Sequence, residues 1–479
     1  MLDKRQFYID GQWVAPLAGT DRAVIDPSTE QPFATISLGG QADTDFAVAA
    51  ARAAFSSWRT STKAQRIDLI RSIFDVYMRR SDEMGAVISR EVGAPLEMSK
   101  TQQARTSSSH FTGFLDALET FEFERPLRPD TPHDRILYEP IGVAALITPW
   151  NWPMKQIVLK VIPALASGCT AVLKPSEQAP LSAMLFAEIL HEAGVPAGVF
   201  NLLNGDGPGV GAQLSGHRDV DVVSFTGSTD AGRAITRAGA DTVKRVRLEL
   251  GGKGANMIFA DAHENAVPSG VMRCFNNSGQ SCNAPSRMLV EQPRYAQAVE
   301  EARATAEAIT VGGTSEVGPH IGPVVNAAQF DKIQALIASG IEEGARLVAG
   351  GLGRPEGMEQ GFYVRPTVFA NCTPDMTIMR TEIFGPVLSM MAFDTEDEAI
   401  AIANDTDYGL TNYVQTANPD RAQRISRELR SGMVEINEQR RSTGAPFGGM
   451  KQSGTGREGG IWGLEEFLEV RAISGWPAD

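Results

Sequence analysis

The stretch "GVAALITPWNWPMKQIVLKVIPALASGCTAVLKPS", Gly142–Ser176, decides the fold class of this chain. It begins with a short apolar run, Gly142–Thr148, which is typical of a buried strand. Pro153–Gly168 then has the apolar character of a helix, with proline at its start and glycine at its end. A second strand pattern, Thr170–Ser176, follows at once. Strand, helix and strand joined by short links predict parallel strands with helices on both faces of the sheet.

The same alternation continues to about residue 250. Further helices are predicted at "PLSAMLFAEILHEAG" and "DAGRAITRAGA", and further strands at "GVFNLLNG", "VDVVSFTGS" and "KRVRLELGGK". Because crossovers between parallel strands are right-handed, these elements predict a doubly wound α/β domain.

The segments before and after this α/β region have other predicted secondary structure. Two β-rich pieces open the chain, and helical patterns follow from about Asp43 to Thr120. A second α/β stretch runs from about Gly252 to Gly448, where "DKIQALIASGIEEGARLVAGG" is predicted as a surface helix. Near the end, "EEFLEVRAISGW" predicts a strand.

Composition excludes several classes of protein. A chain of 479 residues is expected to fold into two or three lobes. The net charge of −14 argues against nucleic acid or an anionic membrane as the main partner, and the apolar runs are far shorter than the ~20 residues of a membrane span. Four cysteines do not make a disulfide framework, so we expect a cytoplasmic protein. Without H-E-x-x-H, C-x-x-C, Walker or G-x-S-x-G motifs, no metal is expected.

Cys282 is a candidate nucleophile. It lies in "NNSGQSCNAPSR", among small and polar residues that suit a tight backbone with free amides. A free thiol with a pKa of ~8.5 is mostly protonated at neutral pH, so attack requires a base or amides that lower the pKa. The alternative is a buried, inert cysteine, and the local sequence leaves both open.

Two further residues could complete a site with this thiol. Glu249 in "LELGGKGAN" lies between two leucines, where burial would raise the pKa of a carboxylate toward that of a general base. Asn151 in "TPWNWPMK" follows a strand of the parallel sheet and could stabilise an oxyanion with its amide. The alternatives are a Glu249–Lys253 ion pair and an asparagine that only shapes the turn.

A nucleotide cofactor is suggested at the ends of the next strands. Lys174 and Glu177 could bracket the hydroxyls of a ribose. Gly227 and Ser228 precede a helix whose N-terminus could contact a pyrophosphate. This is not the G-x-G-x-x-G fingerprint, and alone it is a weak signal.

Seven short motifs, taken together, carry a family resemblance. They are "TPWNWP", "KPSEQAP", "FTGSTDAG", "LELGGK", "GQSC", "EIFGP" and "PFGGMKQSGTGRE". In this order, and over essentially the whole chain, they resemble the NAD(P)-dependent aldehyde dehydrogenase superfamily. Its hydrolytic branch keeps a glutamate at the position of Glu249, whereas the branch that transfers the acyl group to coenzyme A typically lacks it.

The resemblance implies a role for each matching residue. Cys282 would form a thiohemiacetal with an aldehyde, Asn151 would stabilise its alkoxide, and Glu249 would activate the water that hydrolyses the thioester. Lys160 and Glu458 match a proton-relay pair. The implied cofactor residues are Thr148, Trp150, Lys174, Ser176, Glu177, Gly227, Ser228, Leu250, Gly251, Glu382 and Phe384. The implied substrate residues are Gln156, Leu159, Ser281 and Arg441.

The resemblance also implies an architecture. An NAD-binding domain is expected at residues 1–120 and 141–250, a catalytic domain at 251–448, and a small β oligomerisation element at 121–140 and 449–479. The element predicts a homodimer or a homotetramer. NAD is expected, and NADP is possible, because Glu177 would repel the 2′-phosphate of NADP.

The sequence also allows three other functions. They are a dehydrogenase that acylates coenzyme A, a catalytically silent structural or binding homologue, and a hydrolase that uses only Cys282 and Glu249. The substrate is expected to be a small aldehyde. Arg440 and Arg441, in the variable loop at the mouth of the aldehyde tunnel, raise the hypothesis of a negatively charged semialdehyde, with Arg441 as its contact. The alternative is that these arginines face solvent or pair with an acid of a neighbouring subunit.

Overall fold

The computed structural model describes residues 1–477 of the chain. Its strands are, in chain order, β1 (Leu2–Lys4), β2 (Phe7–Ile9), β3 (Gln12–Val14), β4 (Thr20–Asp26), β5 (Gln31–Leu38), β6 (Glu124–Pro126), β7 (Asp134–Pro140), β8 (Val143–Ile147), β9 (Thr170–Lys174), β10 (Phe200–Leu202), β11 (Val222–Thr226), β12 (Arg245–Glu249), β13 (Ala255–Ile258), β14 (Arg287–Glu291), β15 (Arg346–Ala349), β16 (Thr367–Ala370), β17 (Val387–Phe393), β18 (Tyr408–Gly409), β19 (Thr411–Gln415), β20 (Met433–Ile436), β21 (Met450–Lys451) and β22 (Leu468–Ser474).

The helices cover the sheets and connect their strands. They are α1 (Gln41–Trp58), α2 (Lys63–Arg79), α3 (Ser81–Val92), α4 (Leu96–Met98), α5 (Ser108–Thr120), α6 (Pro153–Ser167), α7 (Pro180–Glu192), α8 (Ala212–Gly216), α9 (Thr229–Gly239), α10 (Ala266–Phe275), α11 (Gln292–Ala308), α12 (Ala327–Glu342), α13 (Thr377–Arg380), α14 (Glu396–Asn404), α15 (Pro419–Glu428) and α16 (Gly460–Glu465). Among the described residues, no helix combines the length and the apolar character needed to cross a membrane.

The first large sheet has the strand order β12-β11-β8-β9-β10-β2-β3. Strands β12 to β10 pair in parallel, and the residues of β8, β9 and β11 are buried throughout, which explains their unbroken apolar sequences. The predicted parallel sheet is confirmed. The hairpin β2–β3 turns at Asp10 and Gly11, both with positive φ, and extends the edge of this sheet in antiparallel fashion.

Helix α6 crosses from β8 to β9 and begins and ends where the sequence predicts. Pro153 occupies its first turn, and Gly168 ends it with a φ of 95°. Every residue of α6 is buried except Lys155, which is partly buried, so the helix lies inside the protein. It carries three polar side chains, Gln156, Lys160 and Ser167, into the interior.

The second large sheet has the order β15-β16-β17-β14-β13-β19-β20 and is parallel except for β15. One expectation was wrong here. The stretch predicted as a single surface helix, 331–351, divides into α12 and the antiparallel strand β15. Gly344, with a φ of 88°, turns the chain out of the helix, and the residues of β15 pair with β16.

A third, antiparallel sheet has the order β22-β7-β6. Leu468 pairs with Pro140 and Ser474 with Asp134, so the end of the chain joins a segment more than 300 residues earlier in the sequence. The strand predicted near the end of the chain is confirmed as β22. The domain limits remain a prediction, and residues 478–479 of the predicted oligomerisation element lie outside the described residues.

Candidate active site

A tight reversal after α10 carries the chain to Cys282. Asn277, Ser278 and Gly279 are three consecutive residues with φ values of 54°, 55° and 72°. A side chain at Gly279 would collide with the carbonyl of Gly385, so only glycine fits there. The reversal sends the chain back across the loop that holds Asn151.

Polar side chains from distant segments hold this reversal. Gln280 donates from Nε2 to the Asn277 carbonyl (3.1 Å), and its Oε1 accepts from the Val325 amide (2.9 Å). Asn277 donates from Nδ2 to the Asn151 carbonyl (2.8 Å), and its Oδ1 accepts from Gln103 Nε2 (3.1 Å). Sequence reasoning missed these positioning residues. The Asn-Asn-Ser-Gly run signals a turn but not its partners.

The Asn151 amide lies against the loop that bears Cys282. One Nδ2 N–H donates to the Gln280 carbonyl at 3.0 Å, and a primary amide has a second N–H to offer. Within residues 1–477, the backbone N–H of Cys282 makes no hydrogen bond. Two N–H groups therefore remain for an oxygen on a carbon attached to the Cys282 sulfur.

The Cys282 thiol lies in a carboxylate-rich environment. Cys282 is half-buried and forms no disulfide. Burial, and then the charges of Glu382, Glu249 and Glu458, raise the pKa of its thiol to about 12, while Arg441 opposes the shift. The thiol is therefore protonated at neutral pH, and a base must remove its proton before or during attack.

Glu249 is the buried carboxylate at the end of β12. Only 2% of the residue is exposed, and neither carboxylate oxygen has a hydrogen-bond partner within the described residues. A side chain added at Gly448 or Gly456 would place its Cβ 2.8 or 2.7 Å from Glu249 Oε1, so the two glycines make room for this carboxylate. Burial first, and then the charge of Glu458, raise the pKa of Glu249 well above its usual value. Glu249 and Lys253 form no ion pair in the described chain, and the Lys253 ammonium is itself buried without a partner.

Lys160 and Glu458 lie beside this carboxylate. Lys160 Nζ donates to Glu458 Oε1 at 2.5 Å and to Ser224 Oγ at 3.2 Å, and both residues of the pair are buried. The second oxygen of Glu458 has no partner among residues 1–477. A lysine and two carboxylates thus lie close together in the interior.

The residues predicted to hold the adenosine half of the cofactor meet at the carboxyl edge of the first sheet. Thr148 follows β8 and Lys174 ends the neighbouring strand β9, and the Thr148 amide donates to the Lys174 carbonyl (3.2 Å). Lys174 Nζ lies 3.6 Å from the Glu177 carboxylate. The hydroxyl of Ser176 accepts from the Gln178 amide (3.2 Å), and the buried hydroxyl of Thr148 has no partner in the described chain.

Two neighbouring strand ends complete this edge. Gly227 donates its amide to the Glu249 carbonyl (3.0 Å), and Ser228 caps α9 by accepting from the Ala231 amide (3.3 Å). Leu250 packs beneath Gly232, where a Cβ would lie 2.8 Å from the leucine side chain. The N-terminus of α9 therefore faces the edge where a diphosphate would bind.

The residues predicted around the nicotinamide also lie together. The rings of Trp150 and Phe384 meet edge to face, with centroids 5.5 Å apart. Glu382 Oε1 accepts from the Gly252 amide at 2.9 Å, and a side chain at Gly251 would collide with Glu382. A dinucleotide would fit along this edge of the sheet. The edge offers the Thr148 hydroxyl, which is unpartnered among the described residues, the N-terminus of α9 and backbone without a side chain at Gly251.

The predicted substrate residues have unequal surroundings. Gln156 and Leu159 are each 6% exposed, and Gln156 Oε1 is buried without a partner in the described chain. Ser281 Oγ accepts from Trp152 Nε1 at 2.7 Å. Arg441 donates from Nε to Glu435 Oε1 at 3.2 Å and lies over the ring of Phe447, so its guanidinium already has a carboxylate within its own chain.

Comparisons with known proteins agree with one another. A family model described as the aldehyde dehydrogenase family matches residues 13–473. The chain is 49% identical to 3-succinoylsemialdehyde-pyridine dehydrogenase from a Pseudomonas species, over 99% of each chain. It is 43% identical to a putative aldehyde dehydrogenase of Staphylococcus aureus, over 99% of this chain and 100% of the other.

Solved structures are similar over nearly the whole chain. An aldehyde dehydrogenase from Bartonella henselae is 56% identical with a TM-score of 0.99, covering 99% of this chain and 100% of the other. A cysteine-to-alanine mutant of aldehyde dehydrogenase C from Pseudomonas syringae, complexed with NAD+ and octanal, is 49% identical with a TM-score of 0.97, covering 99% and 98%. The fold class and the family inferred from the seven motifs are confirmed. The chain belongs to the aldehyde dehydrogenase family, and it is an NAD(P)-dependent oxidoreductase that acts on aldehydes.

Proposed function

We propose that this enzyme oxidises its aldehyde through a covalent intermediate on Cys282 and releases the product as a free carboxylic acid, with water as the acyl acceptor. The buried carboxylate of Glu249 carries the proposal. Both of its oxygens lack partners in the described chain, and its raised pKa suits a general base. An acyl transfer to coenzyme A would not need this base.

Attack begins with the Cys282 thiol. The sulfur adds to the aldehyde carbon, the S–H proton passes to Glu249, and the carbonyl π electrons move to oxygen. Asn151 and the Cys282 amide donate hydrogen bonds to the alkoxide that forms. These donors are already held in place by the reversal at residues 277–279, so the alkoxide is stabilised with little reorganisation.

The second half of the reaction hydrolyses the thioester that oxidation leaves on Cys282. When bound, the nicotinamide supplies the acceptor for the hydride that this oxidation releases. Glu249 removes a proton from water, the resulting hydroxide attacks the acyl carbon, and the C–S bond breaks to release the acid. The Glu458–Lys160 pair can accept the proton from Glu249, because it lies beside the base and has an unpartnered oxygen.

The proposal is tested by the products. Purified protein given NAD+ and an aldehyde should form NADH and carboxylic acid in equal amounts without coenzyme A. The NADH absorbance and chromatography of the acid measure both. Formation of an acyl-coenzyme A, or a requirement for coenzyme A, would contradict water as the acceptor. Acid without NADH would point to a simple hydrolase.

NAD is the expected cofactor. Related structures were solved with NAD+. Glu177 lies 3.6 Å from Lys174 at the site proposed for the ribose, where its charge would repel a 2′-phosphate. We expect kcat/KM for NAD to exceed that for NADP, and Glu177→Gln to reduce the difference. A parent enzyme that uses NADP as well as NAD would contradict this assignment.

A homodimer or homotetramer is proposed from the third sheet. Strand β22 is an edge strand, its central residues are exposed, and Val470 is 63% exposed. A free edge with an apolar side chain invites pairing with a second copy. Light scattering at micromolar concentration should therefore give twice or four times the monomer mass, and a monomer would contradict the proposal.

The substrates of the relatives differ in kind. One relative is named for a semialdehyde, and one related structure holds octanal. Arg441 is already paired with Glu435, and its contact with an anionic substrate stays a prediction.

A further inference from the structure

Lys155 places a cation close to the proposed nucleophile. It lies in the first turn of α6, and it is the one residue of that helix that is only partly buried. Its ammonium lies over the ring of Trp152, 4.1 Å from the centroid. The same indole donates to Ser281, which precedes Cys282 in the chain. The ammonium is therefore one side chain away from the loop that carries the thiol.

Positive charge is in excess around this ammonium. Arg273 and Arg441 both pair with the buried carboxylate of Glu435. Among residues 1–477, neither Lys155 nor Arg440 forms an ion pair, and the Lys155 ammonium makes no hydrogen bond. Glu435 thus pairs with two arginines, while Lys155 and Arg440 have no carboxylate partner in the described chain. This excess is local, because the chain as a whole has a net charge of −14.

The surroundings of Lys155 favour an anionic ligand. Burial, and then the charges of Arg440 and Arg441, lower the pKa of Lys155 to about 8. His110, facing the same group from α5, has its pKa lowered to about 4 by burial and by Lys155 and Arg441, so it is neutral at pH 7. A carboxylate bound to the ammonium would compensate both its lost hydration and its repulsion by the arginines.

We propose that Lys155 binds a carboxylate at the far end of the aldehyde substrate, so that the preferred substrates are ω-oxo acids, the semialdehydes of short dicarboxylic acids. This inference rests on the proposed function at Cys282. Lys155, rather than Arg441, is the residue proposed to bind the substrate carboxylate. Arg441 already donates to Glu435, whereas all three N–H donors of Lys155 lack protein acceptors in the described chain. Arg440 and Arg441 contribute through their charge.

The test compares aldehydes that differ only in the remote carboxylate. Succinic semialdehyde is paired with butanal, and glutaric semialdehyde with pentanal. The parent enzyme should have the higher kcat/KM for at least one acid of these pairs. In Lys155→Gln the ratio of kcat/KM for that acid to kcat/KM for its neutral partner should fall by about 10- to 100-fold, mainly through KM. Lys155→Arg should keep most of the ratio.

Arg440→Gln is the matched control. It removes a cation that also lacks an acidic partner, from the loop rather than from α6, and it should lower the ratio much less than Lys155→Gln. Equal kcat/KM values of the parent for the acid and the neutral aldehydes would overturn the inference. A ratio of these values that depends on Arg440 or Arg441 and not on Lys155 would overturn it too. Failure to form NADH from any aldehyde would instead overturn the proposed function.

The pH dependence of the parent gives a second, independent measurement. Since the pKa of Lys155 is about 8, the ammonium is charged at pH 7 and loses its proton as the pH rises above that value. The ratio of acid to neutral aldehyde use should therefore fall between pH 7 and 9.5, and in Lys155→Arg it should stay constant over this range. A ratio independent of pH in the parent would overturn the inference even if Lys155→Gln failed to fold.

Discussion

Cys282→Ala is expected to lower NADH formation by more than about 10⁴-fold, because no other side chain at the site can form the covalent intermediate. Binding of NAD+ should persist, since the predicted cofactor residues at the carboxyl edge of the first sheet do not depend on the thiol. Steady-state NADH absorbance measures the first effect, and titration calorimetry with NAD+ measures the second.

Cys372→Ala provides the control. Cys372 is a buried free cysteine whose backbone amide donates to the Met390 carbonyl of the second sheet, so its replacement should leave turnover near that of the parent. Ordinary turnover by Cys282→Ala would show that the nucleophile is elsewhere. Loss of NAD+ binding together with activity would point to a collapsed site.

Glu249→Gln is expected to separate the two halves of the reaction. The amide cannot take a proton from water, so the thioester should accumulate after one burst of NADH, and the steady-state rate should fall by about 10²- to 10⁴-fold. Rapid mixing should show a burst close to one NADH per active site. Mass spectrometry of the quenched protein should show the acyl group on Cys282.

The rate of that burst also reports on the first step. Glu249 is proposed to take the thiol proton as well, and the pKa of the Cys282 thiol is about 12, so the burst itself should be slower than in the parent. Glu466→Gln is the matched control, since Glu466 is also a buried carboxylate near this group and accepts from the Arg457 amide. Its turnover should remain within a few-fold of the parent. Normal steady-state turnover by Glu249→Gln would assign deacylation to another base.

Several site residues could be placed from the sequence because local pattern and topology were sufficient. Apolar strands alternating with helices predict a parallel sheet, and the carboxyl ends of its strands lie at one edge. Lys174 ends such a strand, and Asn151 and Ser228 each follow one, so their gathering at that edge follows from the order of the elements. The glycines after Glu249 likewise indicated a close approach of backbone.

Other features depended on contacts that no local pattern contains. Lys160 and Glu458 are 298 positions apart, and only packing brings the two side chains within 2.5 Å. The pairing of β22 with β7 and the addition of the β2–β3 hairpin to a parallel sheet also join segments that are far apart in sequence. Backbone hydrogen-bond groups at a strand edge are the same for every residue, so the sequence of a strand does not name its neighbour.

The charged residues Lys155 and Arg441 also show what the sequence establishes and what only the folded chain establishes. The sequence by itself indicated the aldehyde dehydrogenase family and a parallel α/β core, both of which are confirmed, because periodicity and short motifs are local properties. It also predicted a cysteine nucleophile and a glutamate base, which the variants above test. It also drew attention to Arg441. Tertiary structure alone decided that Arg441 is paired with Glu435 and that Lys155 has no acidic partner among the described residues. The strength of a charge in a protein depends on burial and on neighbours from distant segments, and these exist only once the chain has folded.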